Sequence, residues 1–133
     1  MHAILNSFSR EVCQFFDNYF KEHKLATPYV ELILLLHEYE KITQKDLAEK
    51  MHLAPSTITR FVNKLVKKGL VEKSRNGRLS QVSLSEKGKK LAPHLVKAYD
   101  EALSVLKGKL GEKYVHTTEQ LLKHGSELLR KNP

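Results

Sequence analysis

Residues 55–78 read "PSTITRFVNKLVKKGLVEKSRNGR". Pro55 suits the first turn of a helix, where its missing N–H would have no partner anyway. Ile58, Phe61, Val62, Leu65 and Val66 then recur at i, i+3, i+4, i+7 and i+8, the spacing of a buried helical face. At about 100° per residue the opposite face carries Ser56, Arg60, Asn63, Lys64 and Lys67, with Thr57 and Thr59 flanking it. Lys67 and Lys68 fall in the last turn, and Gly69 followed by Leu70 predicts a left-handed stop. Beyond it the period changes to two. "LVEKS" and "LSQVSLS" are short strand candidates on either side of "RNGR", in which Asn76-Gly77 is a favoured pair for a type I′ hairpin. A helix with one polar, basic face runs straight into a basic hairpin.

Upstream, Thr43 opens a short helix, and "TQKD" places an acid three residues after the Thr cap. Leu47, Ala48 and Met51 form its inner face, and "HLA" turns the chain toward Pro55. Earlier still, Pro28 suits the opening turn of a helix capped by Thr27 that runs through "YVELILLLHEY". Ile4, Leu5, Phe8, Val12, Phe15, Phe16 and Tyr19 trace one stripe of a first helix. Downstream, Ser85 is placed to cap a helix from Glu86 to about Leu106, with Leu91, Leu95, Ala98, Ala102 and Leu106 on one face. Pro93 removes a backbone donor there and predicts a bend, and Gly108 and Gly111 punctuate the end. A last helical segment, Tyr114 to Leu129, sets Tyr114, Thr118, Leu121, Gly125 and Leu128 beside Val115, Leu122 and Leu129.

The fold expected is mainly α with a small β-hairpin wing: a winged helix-turn-helix domain flanked by long helices. It is read as a single domain over 1–133, with the winged part at 27–90 and dimerisation helices at 1–24 and 91–133. The apolar stripes of those terminal helices exceed what so small a core covers, and a two-fold homodimer is the commonest way to cover them.

Charge sharpens the reading. Between Pro55 and Lys90 ten basic residues stand against two acidic ones, Glu72 and Glu86, so this segment holds a surplus equal to the chain's entire net charge of +8. Such a local excess is the footprint of a polyanionic partner. No apolar run approaches the roughly 20 residues that span a bilayer, so no membrane partner is expected. The opening "MHAILNSFSREVCQFF" lacks a basic, secretory start, and the one cysteine, Cys13, fits a reducing compartment; a cytoplasmic location follows as an expectation.

From Thr43 to Gly88 the chain resembles the MarR family of transcription regulators, through "TQKDLAEKM", "PSTITRFVNKLVKKGLVEK" and "VSLSEKGKKL" in that order. The resemblance implies a homodimer with interlocked terminal helices and a winged domain on each subunit that binds double-stranded DNA. It also implies repression of promoters, with release by a small-molecule effector or an oxidant. Two positions depart from the family pattern. The wing's usual Asp-x-Arg reads Asn76, Gly77, Arg78, and the recognition helix opens after Ala54 rather than after a polar cap, whose loss typically costs about 1 kcal/mol.

A helix in the major groove reads base edges with its N-terminal polar residues. The candidates here are Ser56, Thr57, Thr59 and Arg60, with Asn63 and Lys64 a turn further on. Arg60 leads, because its fork can bond guanine O6 and N7 together. Arg75, Asn76 and Arg78 form the wing candidates, since a narrow minor groove attracts Arg. Thr43, Gln44 and Lys45, at the start of the preceding helix, are candidate phosphate contacts through backbone N–H groups.

Other features carry less. Some members of the family the chain resembles sense peroxides with an N-terminal cysteine, so Cys13 could be a redox switch, but it lacks an assured cationic neighbour and reads rather as a packing or inert residue. The seven histidines form no H-x-x-x-H or H-x-H pair, so no metal or other cofactor is expected. No phosphate loop or nucleophile elbow appears, and nothing points to an enzyme. Tyr19, Phe20, Tyr29 and the Leu-rich second helix could line an effector pocket or simply pack the core. The competing functional readings are a winged-helix module for protein–protein contact and a DNA-binding protein with no effector.

Overall fold

The computed structural model describes residues 1–131. The chain runs α1 (His2–Asp17), a 3₁₀ turn (Lys21–His23), α2 (Thr27–Tyr39), β1 (Lys41–Thr43), α3 (Gln44–Met51) and α4 (Pro55–Lys67). It continues through β2 (Val71–Asn76), β3 (Leu79–Leu84), α5 (Glu86–Leu110) and α6 (Glu112–Arg130). Two compact units result: Met1–Tyr99, and the part from Asp100 onward.

In the first unit α3 packs against α2 and α4, while the sheet lies against α2, α3 and α4. Leu32, Ile33 and Leu36 of α2, Leu47 of α3, Ile58, Val62 and Leu65 of α4, and Val82 of β3 form its buried centre. The apolar face read from the α4 sequence is therefore the buried one, except that Phe61 is half-buried and Val66 is exposed. α4 ends as its glycine foretold. Gly69 takes φ +76°, its N–H donates to the Val66 carbonyl, and the Leu70 N–H reaches back to the Leu65 carbonyl at 3.0 Å. Those two bonds are a Schellman stop.

The sheet has three strands in the order β1-β3-β2, both pairs antiparallel. Sequence periodicity offered only the hairpin, because β1 is three residues long with a single buried side chain, Ile42. The tip also sits one residue later than expected. Asn76 pairs with Leu79, which leaves Gly77-Arg78 as the two-residue loop, and only Gly77 has positive φ (+66°). A lone positive φ at the first loop position belongs to a type II′ turn rather than type I′.

Of the three side-chain caps expected at helix starts, one forms differently. Thr43 does cap α3, accepting from the Asp46 N–H at 3.1 Å. Thr27 does not cap α2; it is the first helical residue. The Asp17 carboxylate, from the end of α1, accepts from the Thr27 N–H at 2.7 Å and from its hydroxyl at 2.6 Å. A carboxylate there suits the positive end of the helix dipole. Ser85 meets its expected role, its hydroxyl accepting from the Gly88 N–H at 3.0 Å. α5 runs on through Pro93 as one 25-residue helix that includes Gly108, and the break falls at Gly111, with φ +96°.

At the N-terminus Phe16 is buried and stacks on Tyr99 with ring centres 5.2 Å apart, whereas Ile4 is 74% exposed. In the second unit α6 buries Val115 and leaves Tyr114, Leu121, Leu122, Leu128 and Leu129 exposed. Among the described residues no helix is long and apolar enough to cross a membrane.

Candidate nucleic-acid interface

α4 presents Ser56, Thr59, Arg60, Asn63 and Lys64 to solvent, and Thr57 is half-buried. Ala54 precedes the helix and offers no side-chain cap; Pro55 has no N–H and the Thr57 N–H donates to the Ala54 carbonyl, so among the described residues the first turn keeps the Ser56 N–H open to an anion. Arg60 makes no hydrogen bond or ion pair among the described residues; its guanidinium carbon lies 5.8 Å from the centre of the Phe61 ring. Lys64 is more committed. Its ammonium sits 5.1 Å from the centre of the Tyr29 ring, which itself packs on Phe61 at 4.7 Å.

Polar links join this helix to its neighbours. The Thr59 hydroxyl has two acceptors within reach, the Pro55 carbonyl at 3.0 Å and Gln44 Oε1 at 3.1 Å. Gln44 in turn donates from Nε2 to Ser80 Oγ at 2.8 Å. Lys73 on β2 donates to Asn63 Oδ1 at 2.6 Å. The start of α3, the polar face of α4 and both hairpin strands thus adjoin one another. Lys73 and Ser80 were not singled out from sequence, because their partners lie ten and thirty-six residues away and no local signal marks such pairs.

Arg75 and Arg78 are fully on the surface, Arg78 in the loop and Arg75 paired with Ser80 in the ladder. Asn76 closes β2 beside the tip rather than occupying it. Lys45 is exposed, while Thr43 and Gln44 use their side chains within the protein. Among the described residues neither Arg75 nor Arg78 makes an ion pair. Not every cation of the basic segment is equally available: Lys87 donates to the Lys68 carbonyl at 3.2 Å, securing the end of α4.

The aromatic residues considered for a pocket are occupied in packing. Phe20 is fully buried, Tyr19 tilts against Phe15 at 5.4 Å and Tyr29 holds Phe61. Cys13 is half-buried, and burial, then the Asp17 carboxylate, push its thiol above the ordinary value. Among the described residues no cluster of three His, Cys, Asp or Glu could hold a metal ion.

The MarR family model matches residues 27–78, from the first residue of α2 to Arg78 at the hairpin tip. The HTH-type transcriptional regulator SarZ of Staphylococcus aureus is 35% identical over 101 residues, which cover 70% of this chain and 68% of SarZ. The chain belongs to the MarR family. Its fold is that of MarR structures. A mutant of MarR from E. coli complexed with operator DNA superposes with a TM-score of 0.80 at 20% identity, covering 92% of this chain and 91% of that one. NadR in complex with 4-hydroxyphenylacetate gives 0.78 at 19% identity, over 97% and 96%. The chain spans from about half to two thirds of the curated HTH-type regulators it matches: 55% of a Bacillus cereus regulator and 65% of SarZ from Staphylococcus haemolyticus.

Proposed function

We propose that this chain is a sequence-specific regulator of transcription that binds double-stranded DNA as a homodimer. The observation that carries the reading is the continuity of the basic surface. Polar links place the exposed face of α4, the start of α3 and the hairpin side by side. α4 is the element to enter the major groove, with Ser56, Thr57, Thr59 and Arg60 toward base edges and Asn63 and Lys64 toward the backbone. Arg75 and Arg78, with Asn76 beside them, are the wing's contribution in the adjacent minor groove. Thr43, Gln44 and Lys45 lie where backbone N–H groups at the start of α3 can take a phosphate.

Exposed leucines on α6 and the exposed Ile4 end of α1 support pairing of two chains through the terminal helices. Two recognition helices then address an inverted repeat whose half-sites lie about one helical turn apart. Repression, with release by a small molecule, completes the proposal; the similar NadR was solved with such a ligand.

Fluorescence anisotropy against duplex DNA from upstream of the chain's own gene and against scrambled duplex, over a salt series, tests it. The upstream DNA is expected to bind more tightly, with a steep salt dependence. Absence of binding to either duplex at low salt would overturn the reading and direct attention to a protein partner.

A further inference from the structure

The hairpin needs something to hold it. Its base is fixed on both sides: β1 pairs with β3 as far as Thr43 opposite Gln81, and the Ser85 N–H donates to the Leu70 carbonyl at 3.0 Å. Beyond Gln81, toward the tip, β3 has only β2 beside it. A two-stranded ribbon is marginal on its own in water. The next residue outward is Ser80, and it is Ser80 that Gln44 reaches.

Gln44 directly follows β1, so its side chain extends the tether by one position where the backbone ladder ends. The same amide meets Thr59, and the Lys73–Asn63 bond ties the other strand. Thr59 and Asn63 are four residues apart, neighbours on one face of α4. One turn of α4 therefore holds both strands, one through Gln44 and one directly. Both neighbours of the Gln44 amide are hydroxyls, which can donate or accept, so either orientation of the amide is satisfied by the same pair.

We infer that Gln44 is a positioning residue that locks the wing to the recognition helix, so that contact by the hairpin and reading by α4 act as one unit. This goes further than a phosphate contact at the start of α3, and it rests on the DNA-binding reading above. It assigns the Gln44 side chain to the protein's own geometry, and it makes Ser80 and Thr59 its partners. Arg78, at the tip, is the residue whose reach depends on the lock.

The test uses the full chain with Gln44→Met, which keeps the length of the side chain and removes both hydrogen bonds. Affinity for the specific duplex is expected to fall roughly tenfold, the factor that one or two ordinary hydrogen bonds carry. Arg78→Ala, costly in the wild type, is expected to cost little more in the Gln44→Met background. A second readout needs no DNA. The NMR order parameter of the Gly77 amide is expected to drop in Gln44→Met while α4 amides keep theirs. Gln44→Glu, which still accepts from both hydroxyls, is expected to restore Gly77 order. Unchanged Gly77 order in Gln44→Met, or an equal fold-loss from Arg78→Ala in both backgrounds, overturns the inference. Failure of the wild type to bind DNA overturns the regulator reading instead, and the Gly77 comparison still decides the tether.

Discussion

At the scale of single residues, two glycines of the same helix carry opposite expectations. A Cβ on Gly88 would lie 2.1 Å from the Leu70 carbonyl oxygen, a backbone atom that is also held by the Ser85 N–H. Neither partner can retreat without opening the base of the hairpin. Gly88→Ala is therefore expected to destabilise the fold by about 1–3 kcal/mol, the usual cost of overpacking. Gly108 meets nothing within 4 Å, so Gly108→Ala is expected to stabilise by about 0.5–1 kcal/mol through backbone entropy alone. Urea melts of the two variants read both signs. Cys13 offers a chemical test at the same scale. Burial, with the Asp17 carboxylate behind it, favours the neutral thiol, and only the thiolate attacks an alkylating reagent. Iodoacetamide should modify Cys13 more slowly than free cysteine at neutral pH, and its rate profile should rise at higher pH. A rate equal to or above that of free cysteine would reopen a role for Cys13 as an oxidant sensor.

Elements show where the sequence was legible and where it was not. α4 could be read almost whole, because its start, buried stripe and stop are all encoded within fifteen residues, Pro55 to Gly69. The candidate site on its outer face followed from the same periodicity. Partners distant in the chain were out of reach. The cap of α2 comes from Asp17, ten residues before Thr27, and a Thr next to a Pro looks locally like a cap in its own right. β1 is too short for alternation to show, and the hairpin register is decided by Asn76 pairing with Leu79 rather than by the Asn-Gly preference. The α2 cap yields a prediction at this scale. Asp17→Ala leaves the Thr27 N–H and hydroxyl without their charged acceptor, at a cost of about 1–2 kcal/mol by analogy with lost N-caps. Asp17→Asn keeps an acceptor and should recover part of that loss. Denaturant midpoints for the pair would separate the hydrogen bonds from the charge, and equal midpoints for Asp17→Ala and wild type would show that α2 does not depend on the cap.

For the whole molecule, the question is how many of its cations meet phosphate at once. The surplus of +8 lies between Pro55 and Lys90, but Lys73 is held by Asn63, Lys64 lies over Tyr29 and Lys87 secures the end of α4. Among the described residues Arg78 at the wing tip has no such internal task. Each phosphate neutralised adds about 0.9 to the slope of log affinity against log salt. An Arg held in the minor groove displaces counterions much as a phosphate contact does, and in a homodimer every contact occurs twice, so Arg78→Ala should reduce the slope by about two units. Lys87→Ala, which removes a structural bond, should lower thermal stability and leave the slope nearly unchanged. Pairing itself can be separated from both effects. Leu121 and Leu128 are seven residues apart on α6, 66% and 53% exposed, and so share one helical face. Replacing both by Lys places two charges where a partner helix would pack. If α6 makes the dimer, sedimentation should show a monomer, and the salt slope should fall to about half, because one subunit then reaches one half-site. A monomer with an undiminished slope would mean that a single winged domain makes all the phosphate contacts. A dimer that survives both substitutions would move the subunit interface away from this face of α6.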